Sequence, residues 1–114
     1  MEIDGSFLRA EQDCSHAELC FVNASDLNLV GSNFHCANLT GANLRRVNLG
    51  NANLSFAKMK YADLSGAKLW RANLAGAYLW HSDIHGANLK AAVLSGADLS
   101  YADITNSDLS RAVL

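Results

Sequence analysis

There is no proline in the 114 residues, and no run of apolar residues long enough to cross a membrane as a helix. A proline-stiffened linker and a membrane span are therefore not expected. An excess of one charge is also missing. Nine basic residues against eleven acidic ones leave −2, too close to neutral for a nucleic-acid-binding surface or an acidic tail. The three cysteines, Cys14, Cys20 and Cys36, have no zinc-type spacing and read as reduced thiols. The opening MEIDGSFLRAEQD has neither the basic nor the apolar segment of a secretory signal, which points to a cytoplasmic protein. One domain is expected at this length, and half the residues are apolar, enough to form a core.

What the chain does have is a period. From Ala37 it divides into fives: ANLTG, ANLRR, VNLGN, ANLSF, AKMKY, ADLSG, AKLWR, ANLAG, AYLWH, SDIHG, ANLKA, AVLSG, ADLSY, ADITN, SDLSR, AVL. With the third residue as centre, 20 centres run in steps of five from Leu19 to Leu114, and all except Ala24 are Leu, Ile, Met or Phe. The residue two before each centre is mostly Ala, with Ser at Ser32, Ser82 and Ser107, and the one between is usually Asn or Asp. Val22 and Ala24 reverse the small–large order, which would conserve interior volume. Upstream, MEIDG and SFLRA fit with centres at Ile3 and Leu8. Glu11 reads as a one-residue insertion, after which QDCSH and AELCF resume the count. The expectation is a single repeat domain over 1–114, irregular over 1–16 and regular over 17–114.

A period of five fits neither a helix nor a flat strand. On a helix five residues rotate 140° net, so the leucines would spread around the cylinder. A strand alternates with period two, which five breaks. Small–polar–large is nonetheless a short alternation, with the first and third residues inward and the second outward. The remaining two must turn the chain. Gly is frequent at the fifth position (Gly31, Gly41, Gly66, Gly76, Gly86, Gly96), where a corner can require positive φ. Each unit is one side of a polygon, and the chain is a solenoid. These A(N/D)LxG runs closely resemble the pentapeptide-repeat family, and the likeness covers essentially all of 1–114. The resemblance implies an all-β, right-handed quadrilateral β-helix with four repeats to a coil, hence about 5.5 coils. At about 4.8 Å between strands that is a rod on the order of 27 Å long.

Four sides per coil stack residue n on n+20, which turns the sequence into a surface map. One side gathers Phe21, Tyr61, Tyr78, Trp80 and Tyr101. Exposed rings either stack into a ladder that stiffens the rod or form a partner-binding surface. The next face carries Asn23, Asn43, Asp63, Asp83 and Asp103 in one column, near Arg45, Arg46 and His85. The third carries Lys68, Trp70, Arg71, Lys90 and Arg111. The fourth, with Asn33, Asn53, Asn73, Ala75, Val93 and Ser95 and with Phe56 at its corner, reads as bland. WHSDIHG (80–86) has zinc-ligand residue types, yet a convex wall offers no pocket, and a solvated surface is expected there. No nucleophile–base–orienter set appears.

The functional expectation is a non-enzymatic scaffold or protein-interaction module, without cofactor, catalytic residue or metal. Its partner is a protein of unknown identity, not nucleic acid and not a membrane. Val113 and Leu114 close the chain with apolar residues on an uncapped coil. That end either pairs with a second copy, giving a homodimer, or continues into a longer protein. The alternative, implied by the resemblance, is a DNA-mimicking, gyrase-binding protein of the quinolone-resistance type. Such mimicry needs a strongly acidic rod, to follow phosphate charges spaced about 1.7 Å apart. Residues 17–114 instead carry seven acids against eight bases, a net of +1.

Overall fold

Each five-residue unit forms one short extended segment followed by a tight corner, and four units close a coil. The computed structural model describes residues 2–114; Met1, which the sequence reading includes in the first repeat, lies outside the described residues. Parallel bridges run from Asp13↔Asn33 to Val93↔Val113, and every one joins residues twenty apart. The result is an all-β, right-handed quadrilateral β-helix measuring 32 × 25 × 22 Å.

The bonding rule is the same on all four sides. The centre residue donates its N–H to the next coil, as Leu64 does to the Asp83 carbonyl at 2.7 Å. The residue before it donates to the previous coil, as Asp63 does to Ala42 at 2.9 Å. The corner closes when the next small residue donates back, as Ala67 does to Leu64 at 3.0 Å. Asn or Asp precedes the centre because its Oδ1 accepts the amide two residues on: Asn43 from Arg45, Asn53 from Ser55, Asp83 from His85. This Asx contact satisfies a turn amide that faces no other coil.

The corner residue has positive φ at every fifth position from Glu11 to Arg111. Six corners are glycine, at φ 66–71, and fifteen are not, at φ 54–64. The left-handed conformation costs an L-residue about 1–2 kcal/mol. Glycine is therefore preferred but not required, because hydrogen bonds to the coils on either side fix the corner.

Inside, Leu64, Leu69, Leu74 and Leu79 are essentially inaccessible, as are the alanines Ala67, Ala72 and Ala77 beside them. A fully buried Leu contributes about 1.5–3 kcal/mol before entropy is subtracted. Ala fills the other inward position in most units because two long side chains on every wall would overfill so narrow a core; Val47 beside Leu49 and Leu27 beside Leu29 are exceptions. Ser82 substitutes for Ala by turning its hydroxyl onto the Leu79 carbonyl at 2.7 Å. The expected interior column of Leu44, Leu64, Ile84 and Ile104 is present. Its first three members are buried, whereas Ile104 is 41% exposed.

The start of the chain differs from the sequence reading. Strand β1 (Ile3–Asp4) pairs parallel with β2 (Val22–Asn23), Ile3 opposite Val22, so these partners are nineteen apart. Ile3 is thus not a centre. Gly5 holds that place, buried and donating to the Asn23 carbonyl at 2.9 Å, and a Cβ there would come within 2.5 Å of that oxygen. Leu8 then fills the small-residue position, donating to the Gly5 carbonyl. Glu11 is not an inserted residue. It is an ordinary corner at φ 58, and the first coil is one residue short instead of one long. Ile3/Gly5 repeats the large–small order of Val22/Ala24 beneath it, and counting apolar residues as centres assigned the register wrongly. Regular corners therefore begin at Glu11, ahead of the expected boundary at Ala17.

The other end is open. Leu114 is 80% exposed and Val113 52%. Leu99, Ile104, Leu109 and Leu114 ring an apolar hollow of about 110 Å³. Among the described residues, the N–H groups of Leu99, Ile104 and Leu109 and the carbonyls of Ala97, Ala102 and Ser107 have no backbone partner.

Candidate functional site

The wall centred on Leu19, Leu39, Met59, Leu79 and Leu99 carries most of the rings. Stacking at twenty places Tyr61, His81 and Tyr101 on one corner, and the three rings lie nearly parallel. Tyr61 and His81 have centroids 5.5 Å apart at 17°, and His81 and Tyr101 4.9 Å apart at 9°. Trp80 presents its edge to this stack, 5.3 Å from Tyr61, 4.3 Å from His81 and 6.2 Å from Tyr101. Lys60 Nζ lies 5.8 Å from the Trp80 ring, within range of a cation–π contact. Tyr61 is 58% and Tyr101 76% exposed.

The five rings expected on this side do not form one set. Tyr61, Trp80 and Tyr101 come together, with His81 as the residue that joins them. Phe21 stands apart over Gly41, where an added Cβ would meet its ring carbon at 2.5 Å. Tyr78 lies on the same face in the outward column between Lys58 and Asp98, and with Thr40, Lys58 and Lys60 it lines a shallow depression of about 280 Å³. Phe56 over Gly76 and Trp70 over Gly50 repeat the arrangement of Phe21. A glycine twenty residues away therefore marks a ring lying flat on the coil, whereas a ring twenty residues away marks a stack.

WHSDIHG is engaged internally. His81 is in the stack. Asp83 Oδ1 accepts the His85 amide at 3.0 Å, and His85 Nδ1 meets Thr105 Oγ1 at 2.8 Å. Thr105 in turn donates to Asp103 Oδ1 at 2.6 Å, and its hydroxyl and amide hold the Asp103 carboxyl below the ordinary carboxylate range. Asp63, Asp83 and Asp103 form the expected column, with Arg45 Nε 3.8 Å from Asp63.

Among the described residues, the three ligand-type side chains that converge lie elsewhere: His16, His35 and Cys36, on the wall read as bland. Along the chain the three cysteines have no metal-type spacing. The usable signal was that 16 and 36 differ by twenty and so share a corner.

The repeat pattern described as pentapeptide repeats matches in 8 copies, over residues 13–51, 32–71 and 72–111. Among solved structures, a pentapeptide repeat protein from the cyanobacterium Cyanothece 51142 superposes with a TM-score of 0.73 at 22% identity, covering 98% of this chain and 86% of that one. A pentapeptide repeat protein from the thylakoid lumen of Arabidopsis thaliana is 28% identical with a TM-score of 0.67, covering 81% of this chain and 68% of that one. No curated protein matches the sequence.

Proposed function

This chain belongs to the pentapeptide-repeat family, and on that premise we propose that it is a non-enzymatic protein-interaction module whose contact surface is the corner of Tyr61, Trp80 and Tyr101. The observation that carries the reading is the exposed ring stack. Tyr61, His81 and Tyr101 all sit at positive φ, where glycine would avoid a cost of about 1–2 kcal/mol. Ring stacking returns about 0.5–1.5 kcal/mol per pair. The rings therefore add little net stability to the rod, and their distinguishing effect is an amphipathic surface of the composition that anchors protein interfaces. Tyr78 extends that surface along the same face. Phe21, seated on Gly41, borders it.

The outer walls are convex, which does not favour water-excluding chemistry. The acidic column is three carboxylates long and is partly neutralised by Arg45. This supports a protein partner over DNA mimicry and over nucleic-acid binding. The three free thiols suit a reducing compartment such as the cytoplasm.

The test is affinity capture with immobilised protein in three forms: wild type, Tyr61→Ala/Trp80→Ala, and Trp70→Ala on another wall. A stoichiometric partner retained by wild type and Trp70→Ala but lost from the double variant, at equal melting temperature, supports the assignment. Equal retention by all three moves the contact surface elsewhere.

A further inference from the structure

We infer that His16, His35 and Cys36 form a three-ligand site for a zinc-like divalent cation, with the fourth coordination position open to solvent. His16 and Cys36 are corner residues one coil apart, at φ 60 and 58, and His35 is the outward residue beside Cys36. One ligand atom from each lies within 4.8 Å of the others. Cys36 Sγ is 3.3 Å from His35 Nε2. Tetrahedral zinc, with Zn–S of roughly 2.3 Å and Zn–N of roughly 2.0 Å, places such a pair about 3.5 Å apart. This pair is already at ligand spacing, and the His16 ring, within 4.8 Å, need close by at most about 1.5 Å, within reach of a side-chain rotation.

The surrounding hydrogen bonds orient His35 for this role. Asn53 Oδ1 accepts the Ser55 amide at 3.0 Å, which identifies that atom as the carbonyl oxygen. Ser55 Oγ lies 2.6 Å from the same oxygen and must donate to it. The Ser55 hydroxyl is then left as an acceptor toward His35 Nδ1, 2.7 Å away. His35 therefore carries its proton on Nδ1 and turns a free lone pair on Nε2 toward Cys36. A metal-binding histidine needs this arrangement, in which the second nitrogen donates to a fixed oxygen. Ser55 is itself buried. Phe56 packs edge-on against the His35 ring at 6.0 Å, and His16 does so from the other side at 5.7 Å. Two imidazoles and one thiolate suit a borderline-soft ion such as zinc, not magnesium or calcium. On binding, the Cys36 thiol releases its proton to solvent. The buried Cys14 is no competitor, since its side chain belongs to the apolar core.

The site is independent of the aromatic corner, and its test is a cobalt(II) titration of the reduced, intact protein in the absence of other metals. We expect a thiolate-to-cobalt charge-transfer band that saturates at about one equivalent and is bleached by zinc. Cys36→Ser should abolish the band, and His16→Ala or His35→Ala should weaken binding at least tenfold. Ser55→Ala should weaken it roughly tenfold to a hundredfold through loss of the Nδ1 acceptor. Cys20→Ser should change nothing. Metal-free melting of each variant separates lost ligation from lost folding, and Cys36→Ala serves if Cys36→Ser melts early. A wild-type protein that gives no band, or a band that survives in Cys36→Ser, overturns the site. Unchanged affinity in Ser55→Ala overturns the orientation of His35.

Discussion

Leu64 and Ile104 occupy the same interior slot two coils apart, in the near-identical units ADLSG and ADITN. Yet Leu64 is fully buried and Ile104 is 41% exposed. Leu94 and Leu114 differ more, 4% against 80% exposed. The backbone behaves in the same way: Leu64 N–H bonds forward to Asp83, whereas Ile104 N–H has no partner among the described residues. The repeat dictates which way a side chain points. Only the next coil makes that direction a burial. In a solenoid each unit is stabilised by its neighbours, so one motif has different energetic weight in the middle and at the end.

The largest test of this contrast is a charge in each slot. Leu64→Asp should cost more than about 4 kcal/mol and unfold the rod, because it buries an unpaired carboxylate. Ile104→Asp should cost less than about 1.5 kcal/mol, because its carboxylate can stay hydrated. Equal losses in chemical denaturation would break the comparison. The open end supplies the next test. For residues 1–114 taken by themselves, we propose that the last coil's unpaired edge and apolar hollow meet those of a second copy. A two-fold contact closes at a dimer and does not grow into fibres. Sedimentation of residues 1–114 should show a concentration-dependent dimer that Leu114→Lys shifts to monomer. A wild type that stays monomeric at high concentration would count against the pairing.

Smaller effects separate corners. Gly86→Ala adds a Cβ at φ +69 with nothing within 4 Å, so its loss, about 1 kcal/mol, is the backbone cost alone. Gly41→Ala, at φ +66, must also displace Phe21, so it should melt lower than Gly86→Ala. Matching melting temperatures would show that Phe21 has no seat there. The smallest effect concerns acid. Asp98 and Asp108 are held below the ordinary carboxylate range first by the hydroxyls and then by the amides of Ser100 and Ser110, and Asp103 likewise by Thr105. All three lie in the last coil, whereas the coil of Asn43, Asn48, Asn53 and Lys58 has no carboxylate at these positions. A depressed pKa contributes stability above the unfolded value that is lost as pH falls through the folded one. The last coil should therefore loosen before the middle coils, below about pH 4. Amide shifts that begin in the middle coils would contradict this.

Most of the fold was legible because its rule is strict. The inward Leu and Ala, the polar residue between them and the glycine corners follow from the five-residue period, and the stack at twenty follows from the four sides per coil that the family resemblance implies. The first coil was not legible, because Gly5 at a centre has no side chain to signal it and Ile3 supplies an apolar decoy. The candidate sites were legible only in part. Tyr61, Trp80 and Tyr101 lie on one side as expected, and Phe21, on the same side, rests on Gly41, a contact visible only when residues are compared across twenty. The same comparison would have paired His16 with Cys36.

The most direct measurement is amide hydrogen exchange by NMR on the Leu114→Lys variant, which removes any protection by a second copy. Asp63 and Leu64 both donate to neighbouring coils, so both should exchange slowly. In the last coil Asp103 donates back to Ser82 at 3.0 Å, whereas the Ile104 N–H, directed away from that coil, has no partner among the described residues. Slow exchange at Asp103 and Asp108 beside fast exchange at Ile104 and Leu109 is the result this account predicts. Protection at Ile104 equal to that at Leu64 would contradict it.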